Sequence, residues 1–179
     1  MKSRVWRGKL AILAILAIAG TAGCAPALDW RDVRPAGSGA TLLFPCRPSS
    51  QERQVALAGP AVALTLQACG AAGLTWGLAF ADVSDPSRVG PALNALRTAA
   101  AANIGAADAP VSTWRVPGAT PNDNSGLVRL SGRLPGGLPV QLQVLVFTRG
   151  TQVFQASVFG EPLPEEAAQT FFSSIRFER

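Results

Sequence analysis

Apolar residues alternate with polar or small ones along much of this chain, and a period of two predicts strands. Leu42 and Phe44 alternate with Thr41 and Leu43 until Pro45 stops the run. Val55 and Leu57 predict a second, short strand ended by Gly59-Pro60. Val62, Leu64, Leu66 and Ala68 alternate with Ala63, Thr65 and Gln67, the signature of a half-buried strand. After a turn at residues 70–73, Leu74, Trp76, Leu78 and Phe80 share one face. The short link makes these two runs an antiparallel hairpin. Thr75, Gly77 and Ala79 on the other face are small enough for a helix to approach closely.

The period then changes. Asp85-Pro86 can open a helix, Asp by capping free N–H groups and Pro by fitting the first turn. Val89, Leu93, Leu96, Ala100 and Ile104 follow at helical spacing, and Gly105 can end the run. Pro91 offers an alternative start. Period two returns around residues 111–116, 127–132, 140–147 and 152–159, with turns at Leu134-Pro135-Gly136-Gly137 and Arg149-Gly150. Pro164-Glu165-Glu166 opens a last helix, its acids at the positive end, with Ala168, Phe171, Phe172 and Ile175 as its apolar stripe. This order predicts an α+β domain, an antiparallel sheet with a central helix and a C-terminal helix packed on it.

The N-terminus departs from that pattern. Lys2, Arg4, Arg7 and Lys9 precede an unbroken apolar run at residues 10–19, followed by Thr21-Ala22-Gly23-Cys24. A basic start, a short apolar run and small residues describe a secretory signal. The run is too short to span a bilayer, which takes roughly 20 apolar residues. Thr21-Ala22-Gly23-Cys24 resembles the lipobox of bacterial lipoproteins. Ala22 and Gly23 fit it, and Thr21 departs from the commonest residue there, Leu. The resemblance implies a diacylglycerol on the Cys24 thiol, cleavage just before Cys24, and acylation of the new amine. An ordinary secreted protein is the alternative. Ala25, where an Asp tends to retain lipoproteins in the inner membrane, implies the outer membrane, facing the periplasm. The organisation expected is a signal peptide at 1–23, a lipidated N-terminus and tether at 24–39, and one domain at 40–179.

Export changes the charge argument. The whole chain carries +5, but four of its sixteen Lys and Arg lie in the signal. The remainder has twelve Arg against eleven acids and shows no basic cluster, so a nucleic-acid partner is not expected. The remaining cysteines, Cys46 and Cys69, would form a disulfide in an oxidising periplasm; two buried free thiols are the alternative. They are not CxxC, so a thioredoxin-like role has little support.

Phe44-Pro45-Cys46-Arg47-Pro48 resembles the FPxxP that opens many small exported domains of unknown function, and Phe171-Phe172-Ser173-Ser174-Ile175-Arg176-Phe177 resembles the FFxSF helix that closes them. Those domains are similar to the PsbP-like α/β/α fold. The resemblance implies that fold and a non-enzymatic, accessory habit, and it carries over no site residues.

The chain has no His, and no Lys beyond the signal. Ser–His–Asp, Cys–His and Ser–Lys arrangements and Schiff bases cannot be built. His- or Cys-rich zinc sites are equally out of reach, and no phosphate-binding glycine motif is present. Asp82, Asp85, Asp108 and Asp123 are the carboxylates to consider; Asp85 reads as a cap and the others as solvated loop residues. Residues 122–126 read as a hairpin turn, since a calcium loop needs regular acidic spacing and a final Glu. Arg129 and Arg133 read as facing water. No catalytic, cofactor or metal site is expected. The expectation is a non-catalytic envelope lipoprotein, attached to the membrane by lipid and accessory to an envelope protein. The alternative is a binder of a lipid or small hydrophobic ligand in an apolar pocket marked by Trp76, Phe80 and Trp114.

Overall fold

The structure, a computed structural model, describes residues 27–107 and 109–178. The signal, Cys24 and Asp108 lie outside them. The elements are β1 (Arg31–Val33), β2 (Ala40–Phe44), β3 (Ser49–Ala56), β4 (Ala61–Ala71), β5 (Leu74–Asp82), α1 (Pro86–Asn103), β6 (Gly126–Arg133), β7 (Pro139–Arg149), β8 (Gln152–Gly160), α2 (Glu165–Ser173) and β9 (Arg176–Phe177). They form an antiparallel sheet in the order β3-β4-β5-β8-β7-β6 and a small one in the order β1-β2-β9. The class is α+β.

The period of two explains the layering. Trp76, Leu78 and Phe80 of β5 lie opposite Val158, Ala156 and Phe154 of β8, and Leu145 and Phe147 of β7 continue that face. α2 and the small sheet cover it, with Phe171, Phe172, Ile175, Leu42 and Phe44 fully buried. The other face carries Leu64, Ala79, Ala81, Val128, Val144, Val146 and Val153, and α1 lies on it through Val89, Ala92, Leu93, Leu96 and Ala100. The result is helix, sheet, and helix with small sheet. Small side chains on β5 do accompany the helix-covered face.

Asp85 caps α1, which starts at Pro86, so Pro91 sits inside the helix. The far end of α1 turns onto the outer edge of β6, where the Arg133 N–H donates to the Ile104 carbonyl at 2.8 Å. Only glycine allows that approach, because a β-carbon at Gly132 would collide with the same carbonyl oxygen. The opposite edge, β3, pairs with β4 alone among the described residues.

Three expectations change. The described part of the segment expected as a tether, 24–39, belongs to the fold: β1 pairs with β2, and Leu28, Trp30 and Val33 pack against the core. Residues 111–116 form no strand and make one bridge, Ser112 with Leu127. Pro110 and Pro117 bracket that segment, and a proline cannot donate to a ladder. Val116 is instead buried in the α2-side core, leaving Val111 42% exposed. The turn at 122–126 leads into β6 and joins no hairpin.

Candidate functional site

The first described residues are held at three points. The Asp29 N–H donates to the Pro45 carbonyl at 2.9 Å. The Trp30 indole meets Trp76 edge-on, ring centroids 5.7 Å apart. Cys46, next to Pro45, is disulfide-bonded to Cys69 of β4, with Cα atoms 6.0 Å apart. The chain coming from Cys24 therefore joins the domain at a rigid corner, at the end of β2. Exposed ion pairs run from it along the small sheet: Arg31 with Asp29 at the corner, then Arg176 with Asp32 at 3.4 Å, and Arg34 with Glu178 at 2.8 Å toward the other end of β2. Exposed pairs of this kind contribute about 0–1 kcal/mol each.

The two motifs that carry the family resemblance meet beside this corner. Phe44 lies edge-on to Phe171, ring centroids 5.4 Å apart. The Leu43 N–H donates to Ser174 Oγ at 2.9 Å, and that hydroxyl donates to the Phe171 carbonyl at 2.6 Å. Trp76 closes the cluster against Phe171 at 5.4 Å. The motifs thus join the small sheet to α2.

The three aromatics proposed to mark a pocket are each filled by protein rings. Trp76 is fully buried between Trp30 and Phe171. Phe80 stacks on Phe154 at 5.9 Å, and Trp114 meets Phe172 at 6.1 Å. An open concavity of about 390 Å³ lies elsewhere, lined by Ile104, Gly105, Ser131, Gly132, Arg133 and Pro139. Its one charged side chain, Arg133, donates from Nη1 to the Gly137 carbonyl at 2.9 Å.

Among the described residues the structure does not gather the candidate carboxylates Asp82, Asp85 and Asp123 into one cluster. Asp82 Oδ1 accepts the Ser84 N–H at 2.7 Å. Asp85 Oδ1 accepts the Ser87 hydroxyl at 2.7 Å and the Ser87 N–H at 2.8 Å. Those two bonds, the hydroxyl first, hold its carboxyl below the usual range. Asp123 is exposed in the turn that Asn122 closes by accepting the Asn124 N–H on Oδ1 at 2.9 Å. Among the described residues no three of Asp, Glu and Cys gather closely enough to hold a metal ion, and no helix is long and apolar enough to cross a membrane.

Sequence reasoning missed two polar clusters. Arg129, expected to face water alone, lies opposite Gln143 in the β6–β7 ladder. Both hold Glu165 at the start of α2, Arg129 Nη2 at 2.7 Å and Gln143 Nε2 at 2.9 Å. The Arg129 bond, then the Gln143 bond, keeps the Glu165 carboxyl below the usual range. The second cluster is Arg88, half-buried in the first turn of α1. Its guanidinium donates to the carbonyls of Leu57, Ala58, Pro60 and Val83 at 2.9–3.2 Å. It fastens the β3–β4 turn to the helix. Neither cluster has a sequence signal, because the partners are brought together by strand register and by backbone carbonyls.

Compared with known protein families and curated proteins, the chain matches no family model and no curated sequence.

Proposed function

We propose that this chain is an exported lipoprotein of the bacterial cell envelope, held to a membrane by lipid on Cys24, whose α+β domain is a non-catalytic accessory module for an envelope protein. The observation that carries the reading is the junction: the Cys24 of a lipobox-like Thr21-Ala22-Gly23-Cys24 stands five positions before Asp29, whose N–H is the first bonded into the domain among the described residues. A disulfide at that junction suits an oxidising compartment. Ala25 supports the outer membrane, facing the periplasm. Among the described residues, Asp82 and Asp85 hold neighbouring N–H groups and Glu165 is clamped by Arg129 and Gln143, which supports a module that acts by contact.

We propose likewise that the domain is PsbP-like. A sheet with a helix on one face, a helix and small sheet on the other, and joined FPxxP and FFxSF-like segments supports the PsbP-like α/β/α architecture.

Cys24→Ser in the full-length precursor tests the anchor. Mass spectrometry of the native chain should find diacylglyceryl and amide-linked acyl groups on Cys24, and the variant should remain an uncut precursor without lipid. A variant recovered from membranes as a mature, lipid-bearing form would sink the proposal. Mild crosslinking in cells, followed by pull-down, should return one recurrent envelope protein. Recurrent recovery of a lipid with no protein would favour the ligand-binding alternative.

A further inference from the structure

Strand register fixes which loops share an end with the corner where the chain joins the domain. Cys46 is bonded to Cys69, and Cys69 lies opposite Trp76. Trp76 lies opposite Val158, Val158 opposite Gln143, and Gln143 opposite Arg129. These residues form one row across the sheet, and the Asp29–Pro45 bond sits beside it. Past the row, in one direction, lie the turn at 71–74, the link between β8 and α2, and the β6–β7 turn.

Of the two hairpins at this end, β6–β7 runs further than β4–β5. Arg133 is still paired with Pro139 four residues beyond Arg129, and Leu134 N–H closes the turn onto the Leu138 carbonyl at 2.9 Å. At about 3.3 Å per residue, the tip stands at least roughly 13 Å past the row. The tip, Leu134-Pro135-Gly136-Gly137-Leu138, carries no charge, and Leu138 is 66% exposed, the more exposed of the two large apolar side chains left in solvent among the described residues.

The anchor has a comparable reach. Four residues separate Cys24 from Asp29, and an extended chain spans at most about 3.6 Å per residue step, so over five steps the Cys24 backbone stays within roughly 18 Å of the corner. A tether that short keeps this end of the domain beside the bilayer, within a distance comparable to the tip's own reach past the row.

Resting on the lipoprotein reading, we propose that the domain stands directly on the membrane by this end, with the β6–β7 tip at headgroup level and Leu138 entering the bilayer interface. The partner surface of this end is lipid. The sheet then rises from the membrane, and the turns at the other end of the strands, with β3 alongside, are presented to the periplasm.

The test places a benzophenone side chain at Leu138, or at the exposed Gln54 on β3 toward the opposite end, in the full-length chain expressed in a lipoprotein-processing bacterium. After irradiation of isolated membranes, mass spectrometry scores phospholipid adducts and acyl groups on Cys24. Adducts should be several-fold more abundant from Leu138 than from Gln54. A Gly/Ser segment of about a dozen residues inserted between Ala27 and Leu28 lengthens the tether. It should cut the Leu138 adducts several-fold while leaving Cys24 acylated. Acylated Cys24 with equal adducts at both positions, or with none at Leu138, overturns the orientation and leaves the anchor standing. A chain without lipid on Cys24 overturns both.

Discussion

Phe44, the last residue of β2, meets the ring of Phe171 in α2 edge-on at 5.4 Å, and both are fully buried. The contact joins the small sheet to the helix that closes the domain, with the Leu43–Ser174 hydrogen bond beside it. Phe171→Ala leaves a cavity among Phe44, Trp76 and Phe172 and should cost about 3–4 kcal/mol. Urea denaturation of the oxidised domain, followed by far-UV circular dichroism, measures it. Phe171→Leu should recover more than half.

Trp30 separates a folded N-terminal segment from a free tether. Its indole is half-buried against Trp76, so Trp30→Ala should destabilise the domain by about 2 kcal/mol, less than a fully buried ring would. A tether would show no change in the urea midpoint.

The Cys46–Cys69 bridge spans a sequence separation of 23 and restrains the unfolded chain. Replacing both cysteines by alanine should lower stability by about 3 kcal/mol in the chain-entropy description. Reduction of the native chain under mild denaturant should match that loss. The double variant should then be indifferent to reductant.

Arg88 serves four carbonyls from one planar fork. A lysine keeps the charge and has too few donors in too compact a head to reach them all. Arg88→Lys should cost about 2 kcal/mol, and amide exchange at Ala58 and Gly59 should quicken relative to the rest of the sheet.

The acid limb of stability has a definite sign. Asp85 and Glu165 both have carboxyls held below the usual range by their hydrogen bonds. A lowered folded pKa gives stability that is present above the ordinary carboxylate value and lost as pH falls through the folded one. Stability should be level from neutral pH to about 5 and decline below about 4. Both groups are exposed, so the effect is small. Glu165→Gln should flatten part of the decline in a pH series of urea midpoints; an unchanged slope would remove Glu165 from the account.

Most of the sheet was legible because apolar residues recur at every second position along its strands, even where both faces are covered. β5, β7 and β8 follow that rule, and α1 and α2 follow the longer period. β3 was read only from Val55 and Leu57, yet it starts at Ser49. Its Ser, Gln, Glu and Arg residues are polar on both faces, so no periodicity marks it, and the backbone ladder offered by β4 decides it. β1 and β9 are too short to show a period; pairing with β2 creates them. In residues 111–116 only Trp114 and Val116 keep the period of two, and the segment forms no strand, because flanking prolines and the burial of Val116 take precedence. Of the site, sequence identified the cysteine pair and the Asp85 cap, while the Arg129–Gln143–Glu165 cluster depended on register.

The flank of β3 left unpaired among the described residues also bears on self-association. A second copy of the chain, docking edge to edge about a two-fold axis normal to the sheet, must align a β3 residue with its own counterpart. The registers that join the greatest length of the strand are centred on Glu52 or on Arg53. Each sets like charges directly opposite, which disfavours pairing. Adjacent charges of opposite sign at the middle of the strand thus keep neighbouring copies from zipping into a continuous ribbon, while leaving the same backbone groups open to a partner of different sequence.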